Sequence, residues 1–203
     1  MGSKFFQLCR SFLFLFLVFS ISAVFAAAPA TKTYKAEKPG EVKFLAVGRP
    51  SALKIKGEGA APTGEFKETA GKVFGSVDFD LHSLKTGINM RDEHMKNKYL
   101  EVDKHNGLAN LKLENLELPG DIVSGSQSSK EGLPFKGKLS LHGETKDVQG
   151  TYNLTKTATG YDVLAKFNLK LSDYKINIPS YAGITVAEDI NVEIKTTAVQ
   201  AKL

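Results

Sequence analysis

Tryptophan is absent from the 203 residues, cysteine occurs once and histidine four times. The lone Cys9 lies in an N-terminal stretch that reads as a leader, so the remaining chain holds no thiol, and its stability must come from packing without a disulfide. No G-x-S-x-G is present to raise a serine nucleophile, and no H-E-x-x-H to hold zinc on a helix. A dominant charge is missing too. Twenty-seven basic residues stand against 22 acidic ones, evenly interspersed, which excludes a nucleic-acid footprint. Eighteen Gly and seven Pro without a period exclude collagen, and the absence of heptads excludes a coiled coil.

The first 26 residues contain no acid but seven of the 13 Phe. Lys4 and Arg10 form a positive start, Phe12 to Val24 is apolar, and Val24-Phe25-Ala26 ends it with a cleavage pattern. Residues 1–26 therefore read as a secretory signal peptide, cut after Ala26, with an uncleaved anchor as the lesser reading. The expected destination is the periplasm. Cys9 precedes the apolar core and follows Phe6-Gln7-Leu8, which is not a lipid-attachment pattern. The exported chain has 25 basic and 22 acidic residues.

Residues 27–32 read as a flexible lead-in, and residues 33–203 as one domain with a period of two. Val73, Gly75, Val77, Phe79 and Leu81 alternate with Lys72, Phe74, Ser76, Asp78 and Asp80. Similar runs occur at Val42 to Val47, Leu111 to Leu113, Phe135 to Leu141, Val148 to Leu154, Val163 to Leu171 and Val186 to Val199. Turn signals separate them, among them Leu118-Pro119-Gly120-Asp121 and His142-Gly143-Glu144. About eight strands at regular spacing predict an all-β antiparallel sandwich or barrel. Small residues within the apolar pattern, such as Gly75 and Ala165, favour a lumen with space in it.

One segment breaks the alternation. Asn89 to Leu100 predicts a short helix, with Asn89 as the cap, Asp92 and Glu93 in the first turn, and Met95 and Tyr99 on one face. Inserted in a closed β architecture, it is a candidate lid over one end of the barrel.

The motifs Phe74-Gly75-x-Val77-x-Phe79-Asp80-x-x-Ser83-Leu84-x-Thr86-Gly87, Arg91-Asp92-x-His94-Met95, Gly137-x-Leu139-Ser140-Leu141-His142-Gly143-x-Thr145-Lys146, Ser172-Asp173-Tyr174 and Asp189-x-x-Val192-x-Ile194 occur in that order. Together they resemble the YceI family of periplasmic lipid- and polyisoprenoid-binding proteins. The resemblance implies an extended, lipocalin-like antiparallel barrel of eight strands whose apolar lumen takes up a long isoprenoid or acyl chain. Two departures stand out. His105-Asn106-Gly107-Leu108-Ala109-Asn110-Leu111 replaces the family's aromatic-Pro-x-x-x-Phe stretch, and Lys175 stands where members usually carry Gly.

The expected function is that of a non-enzymatic binding protein without a cofactor, holding an isoprenoid quinone, polyprenyl lipid or fatty amide for transport or storage. Transient membrane contact is expected, and a dimer is one option for its assembly. A structural or stress-response protein with a side-chain-filled barrel is the alternative. Expected ligand contacts are Val77, Phe79, Leu81, Phe167 and Leu169 from the strands, Arg91, His94, Met95 and Tyr99 from the helix, and Tyr174. Arg91 has two readings, one as a bidentate partner for a headgroup and one as a structural pin for the helix. His82, His94 and His142 with Asp78 and Asp92 have residue types that suit a metal but no dedicated ligand spacing, so no metal site is expected.

Overall fold

The computed structural model describes residues 29–50, 53–181 and 183–201. The leader read at residues 1–26 lies outside the described residues. Eight long strands make the wall: β1 (Thr31–Arg49), β3 (Thr63–Thr69), β4 (Lys72–Asp80), β5 (Leu108–Glu117), β6 (Ser129–Leu141), β7 (Glu144–Lys156), β8 (Gly160–Lys170) and β11 (Asp189–Gln200). Each pairs antiparallel with the next, and β11 closes on β1, so the sheet is a barrel with no free long edge. Short β2 (Lys54–Gly59) pairs with the upper part of β1, while β9 (Ser180–Tyr181) and β10 (Ile184–Val186) extend the sheet beside its end. The run expected from Val186 to Val199 is thus divided between β10 and β11. The expected start at Thr33 moves back to Thr31.

Alternation decides what fills the barrel. Along β8, Tyr161 and Phe167 are buried while Asp162, Lys166 and Asn168 are exposed; along β11, Ile190, Ile194 and Ala198 are buried. A one-residue slip would turn these side chains outward, so burial fixes the register. Gly75 has a structural role that differs from the one expected of it. Its φ of +154° accompanies a register shift between Val73 and Gly75, and a Cβ there would lie 2.2 Å from the Glu65 carbonyl oxygen. It permits close strand approach in the filled part of the lumen and contributes no space to a cavity.

The two barrel ends are closed differently. At the base, β5 and β6 pair directly only over Asn110–Lys112 and Lys138–Ser140. Their connection contains α2 (Gly120–Ser124), whose Ile122 is fully buried in the core. The sequence shows only a turn there, because five residues carry no helical period. At the mouth, residues 81–107 link β4 to β5. They hold α1 (Asn89–Glu93), which runs on as a wider π-type turn over His94–Tyr99, closed by the Leu100 N–H donating to the Met95 carbonyl. Ile88, not Asn89, is the capping residue, and no side chain caps it.

Candidate functional site: the cavity at the barrel mouth

A cavity of about 480 Å³ occupies the mouth half of the lumen, within the range of about 300–1,000 Å³ usual for small-molecule sites. Its wall comes from the upper inward positions of six barrel strands and β2: Val42, Phe44 and Ala46 on β1, Ile55 on β2, Phe79 on β4, Ala109 on β5, Leu139 and Leu141 on β6, Phe167 and Leu169 on β8, Ile190 and Val192 on β11. β7 lines none of it, and β3 none. The floor lies at Phe167, which meets Phe135 edge to face with ring centroids 6.1 Å apart. Below that pair Tyr34 and Tyr161, 5.5 Å apart, fill the lumen with Tyr152, Leu154 and Ile122. Space in the mouth half goes with the small Ala46 and Ala109. Ala165, expected to leave room, belongs to the filled half.

Polar groups gather at the rim, where Asp80, Ser83, Thr86, Arg91, His94, Lys98, Tyr99 and Ser180 join the lining. Among the expected contacts, Phe79, Leu81, Phe167, Leu169, Arg91, His94, Met95 and Tyr99 border the cavity. Val77 and Tyr174 do not. Val77 is buried on the same face of β4 as Phe79 but lies below the floor. Tyr174 is buried in the turn after β8, and its ring packs into the core away from the cavity. Burial pushes its phenol up to about 12. Ile176 and Ile184, which the strand pattern passed over, line the mouth beside Leu53 and Val186 from the two segments that frame it. These segments are too short and irregular to show a period.

Arg91 is committed to its own loop. Its Nε donates to Thr86 Oγ1 at 2.7 Å and its Nη2 to the Thr86 carbonyl at 2.7 Å. One Asp92 carboxylate oxygen accepts from the Thr86 N–H at 2.8 Å and from the Thr86 hydroxyl. Arg91 and Asp92 thus grip Thr86 from one helical turn and fix the lid segment to the strap before it. Lys96 Nζ adds a bond to the His82 carbonyl at 2.6 Å. Ser83, Ser140 and Ser172 are each engaged in local structure: Ser83 with the Asp80 carbonyl and the Ala60 N–H, Ser140 with Thr145, Ser172 with Glu188. His82, His94 and His142 do not converge: His82 lies 3.6 Å from Asp103, His94 is on the rim, and His142 faces Glu101.

A YceI-like domain model matches residues 40–198, most of the chain. The chain belongs to the YceI-like family. Solved structures similar to this YceI-like barrel include a polyisoprenoid binding domain from Saccharophagus degradans implicated in plant cell wall breakdown, 17% identical over 83% of this chain and 98% of that one, with a TM-score of 0.64. Burkholderia cenocepacia BcnA is 12% identical over 77% and 94%, with a TM-score of 0.60. Campylobacter jejuni YCEI protein is 17% identical over 75% and 88%, with a TM-score of 0.53. At such identities the likeness establishes the fold. No curated protein matches the sequence. The departure at Lys175 now has a structural context in this YceI-like chain: the residue sits at φ +55°, in the left-handed region that glycine adopts freely.

Proposed function

We propose that the chain is an exported, non-enzymatic carrier or store for a long apolar molecule of the isoprenoid quinone, polyprenyl lipid or fatty amide type. The observation that carries this reading is the cavity itself, apolar in its walls, open at the mouth and floored by aromatic packing. Each CH₂ moved there from water contributes about 0.8 kcal/mol, so a tail binds without many polar contacts. The polyisoprenoid binding domain among its structural neighbours is in keeping with such a ligand. Leu53, Ile88 and Met90 line the mouth yet are 39%, 54% and 60% exposed, a rim suited to meeting a bilayer while a tail transfers. Among the described residues no helix is long and apolar enough to cross a membrane. Export rests on the leader pattern at residues 1–26. The test is organic extraction of protein purified from its native envelope, followed by mass spectrometry. A single class of long-chain lipid at near-stoichiometric yield is the expected result, and repeated lipid-free preparations that also fail to take up prenyl chains would overturn it.

A further inference from the structure

Outside the cavity, and lining no part of it, Glu101, His105 and His142 bring one carboxylate oxygen and two imidazole nitrogens within 4.8 Å of one another. We propose that these three residues form a divalent-cation site of the zinc type, which ties the loop after the lid segment to the β6–β7 hairpin. Glu101 Oε2 lies 3.4 Å from His142 Nε2 and 3.8 Å from His105 Nε2. A tetrahedral zinc with bonds of about 2.0–2.1 Å holds its ligand atoms about 3.4 Å apart, so small side-chain rotations complete the set. Three protein ligands leave the fourth position to water.

Several features prepare the site. His142 Nδ1 is 2.9 Å from the Tyr174 carbonyl, which accepts only if Nδ1 carries the proton. That bond leaves the lone pair on Nε2, the arrangement found where a second partner orients a metal-bound imidazole. Nε2 is buried and has no hydrogen-bond partner. The two rings stand 4.4 Å apart, centroid to centroid. Glu101 adopts φ +42°, a left-handed conformation uncommon outside glycine. Its other oxygen is taken by Lys104. Two imidazoles and a carboxylate suit zinc and its first-row neighbours better than calcium or magnesium.

The test uses the exported chain without an affinity tag, stripped with chelator and titrated with zinc chloride by calorimetry, with cobalt(II) as a spectroscopic stand-in. One zinc per chain, a tetrahedral cobalt band and a higher melting temperature with metal are expected. His105→Gln, Glu101→Gln and His142→Asn should each weaken zinc binding by at least about tenfold. Asn is chosen because position 142 has φ +53°, which Asn tolerates. His82→Gln should retain full stoichiometry. Melting curves in chelator establish that each variant folds; should His142→Asn fail, the more exposed His105 and Glu101 decide the matter alone. Absence of saturable one-to-one binding, or equal affinity in wild type and His105→Gln, overturns the site. Neither outcome touches the lipid reading, since zinc and extracted lipid are measured separately.

Discussion

The base half and the mouth half of the lumen belong to one barrel with one alternation, yet one is filled and the other is hollow. At the base, Tyr34, Tyr152, Tyr161 and Phe135 reach across the axis, and Ile122 enters from the β5–β6 connection. At the mouth the inward side chains include Ala46 and Ala109, and the connections frame an opening without entering it. Alternation therefore determines which residues face inward, while side-chain volume and the reach of the connections determine whether a lumen is core or cavity.

The sharpest way to break this comparison is a buried charge. Leu111→Asp puts a carboxylate into the filled half, where Leu111 is 4% exposed. The cost of several kcal/mol is large against a total stability of about 5–15 kcal/mol, so the variant should be unfolded by circular dichroism. Ile88→Asp at the mouth rim should change stability by under about 0.5 kcal/mol. Next in size is truncation. Ile122→Ala should cost about 2–5 kcal/mol in chemical denaturation because tight neighbours cannot close the hole. Val192→Ala, tested on lipid-free protein, should cost about 1 to 2 kcal/mol, since that side chain already borders empty space. Equal costs at the two sites would mean the halves are packed alike.

Adding volume inverts the comparison. Ala36→Leu overpacks the filled half and should destabilise by about 1–3 kcal/mol. Ala46→Leu projects into the cavity, should leave stability near wild type, and should reduce uptake of a prenyl chain several-fold. Binding of a fluorescent acyl probe, measured beside thermal melting, tests both. A smaller effect is expected at the lid. Because Arg91 bonds Thr86 on its own loop, Arg91→Ala should lower stability by about 1 kcal/mol and weaken headed and headless ligands equally. Loss confined to the headed ligand would restore the recognition reading.

The halves also differ in how legible they were. The strands at Val73 to Leu81 and Val163 to Leu171 show period two, and the YceI-like motifs lie along the same strands and their turns, so barrel and inward faces could be read directly. The depth of a residue along the axis is not encoded in a period. Val77 and Phe79 share one face of β4 two residues apart, yet only Phe79 reaches the cavity. Tyr174 has the same limitation, as a turn residue with no alternation to orient it. The Glu101, His105 and His142 cluster joins a mouth loop to a hairpin about forty residues later, a contact made by strand pairing that no local spacing announces.

The smallest expected effect is invisible at neutral pH and belongs mainly to the base. Burial raises the phenol of Tyr34 well above its ordinary range, with Tyr161 and Glu68 adding to the shift, and burial alone raises that of Tyr152. A tyrosine whose folded-state pKa is raised keeps its proton in the barrel while the unfolded chain loses it near pH 10. Below that pH the contribution to stability is fully present. As pH rises from about 10 through the folded pKa values, deprotonation favours the unfolded chain and stability falls. Melting temperature followed across this range, with tyrosinate absorbance recorded alongside, should show the loss begin near pH 10 and ionisation coincide with unfolding. Tyr34→Phe should flatten the profile, because its group no longer titrates in either state. If Tyr34→Phe leaves the alkaline limb as steep as in wild type, the base is not the drier half.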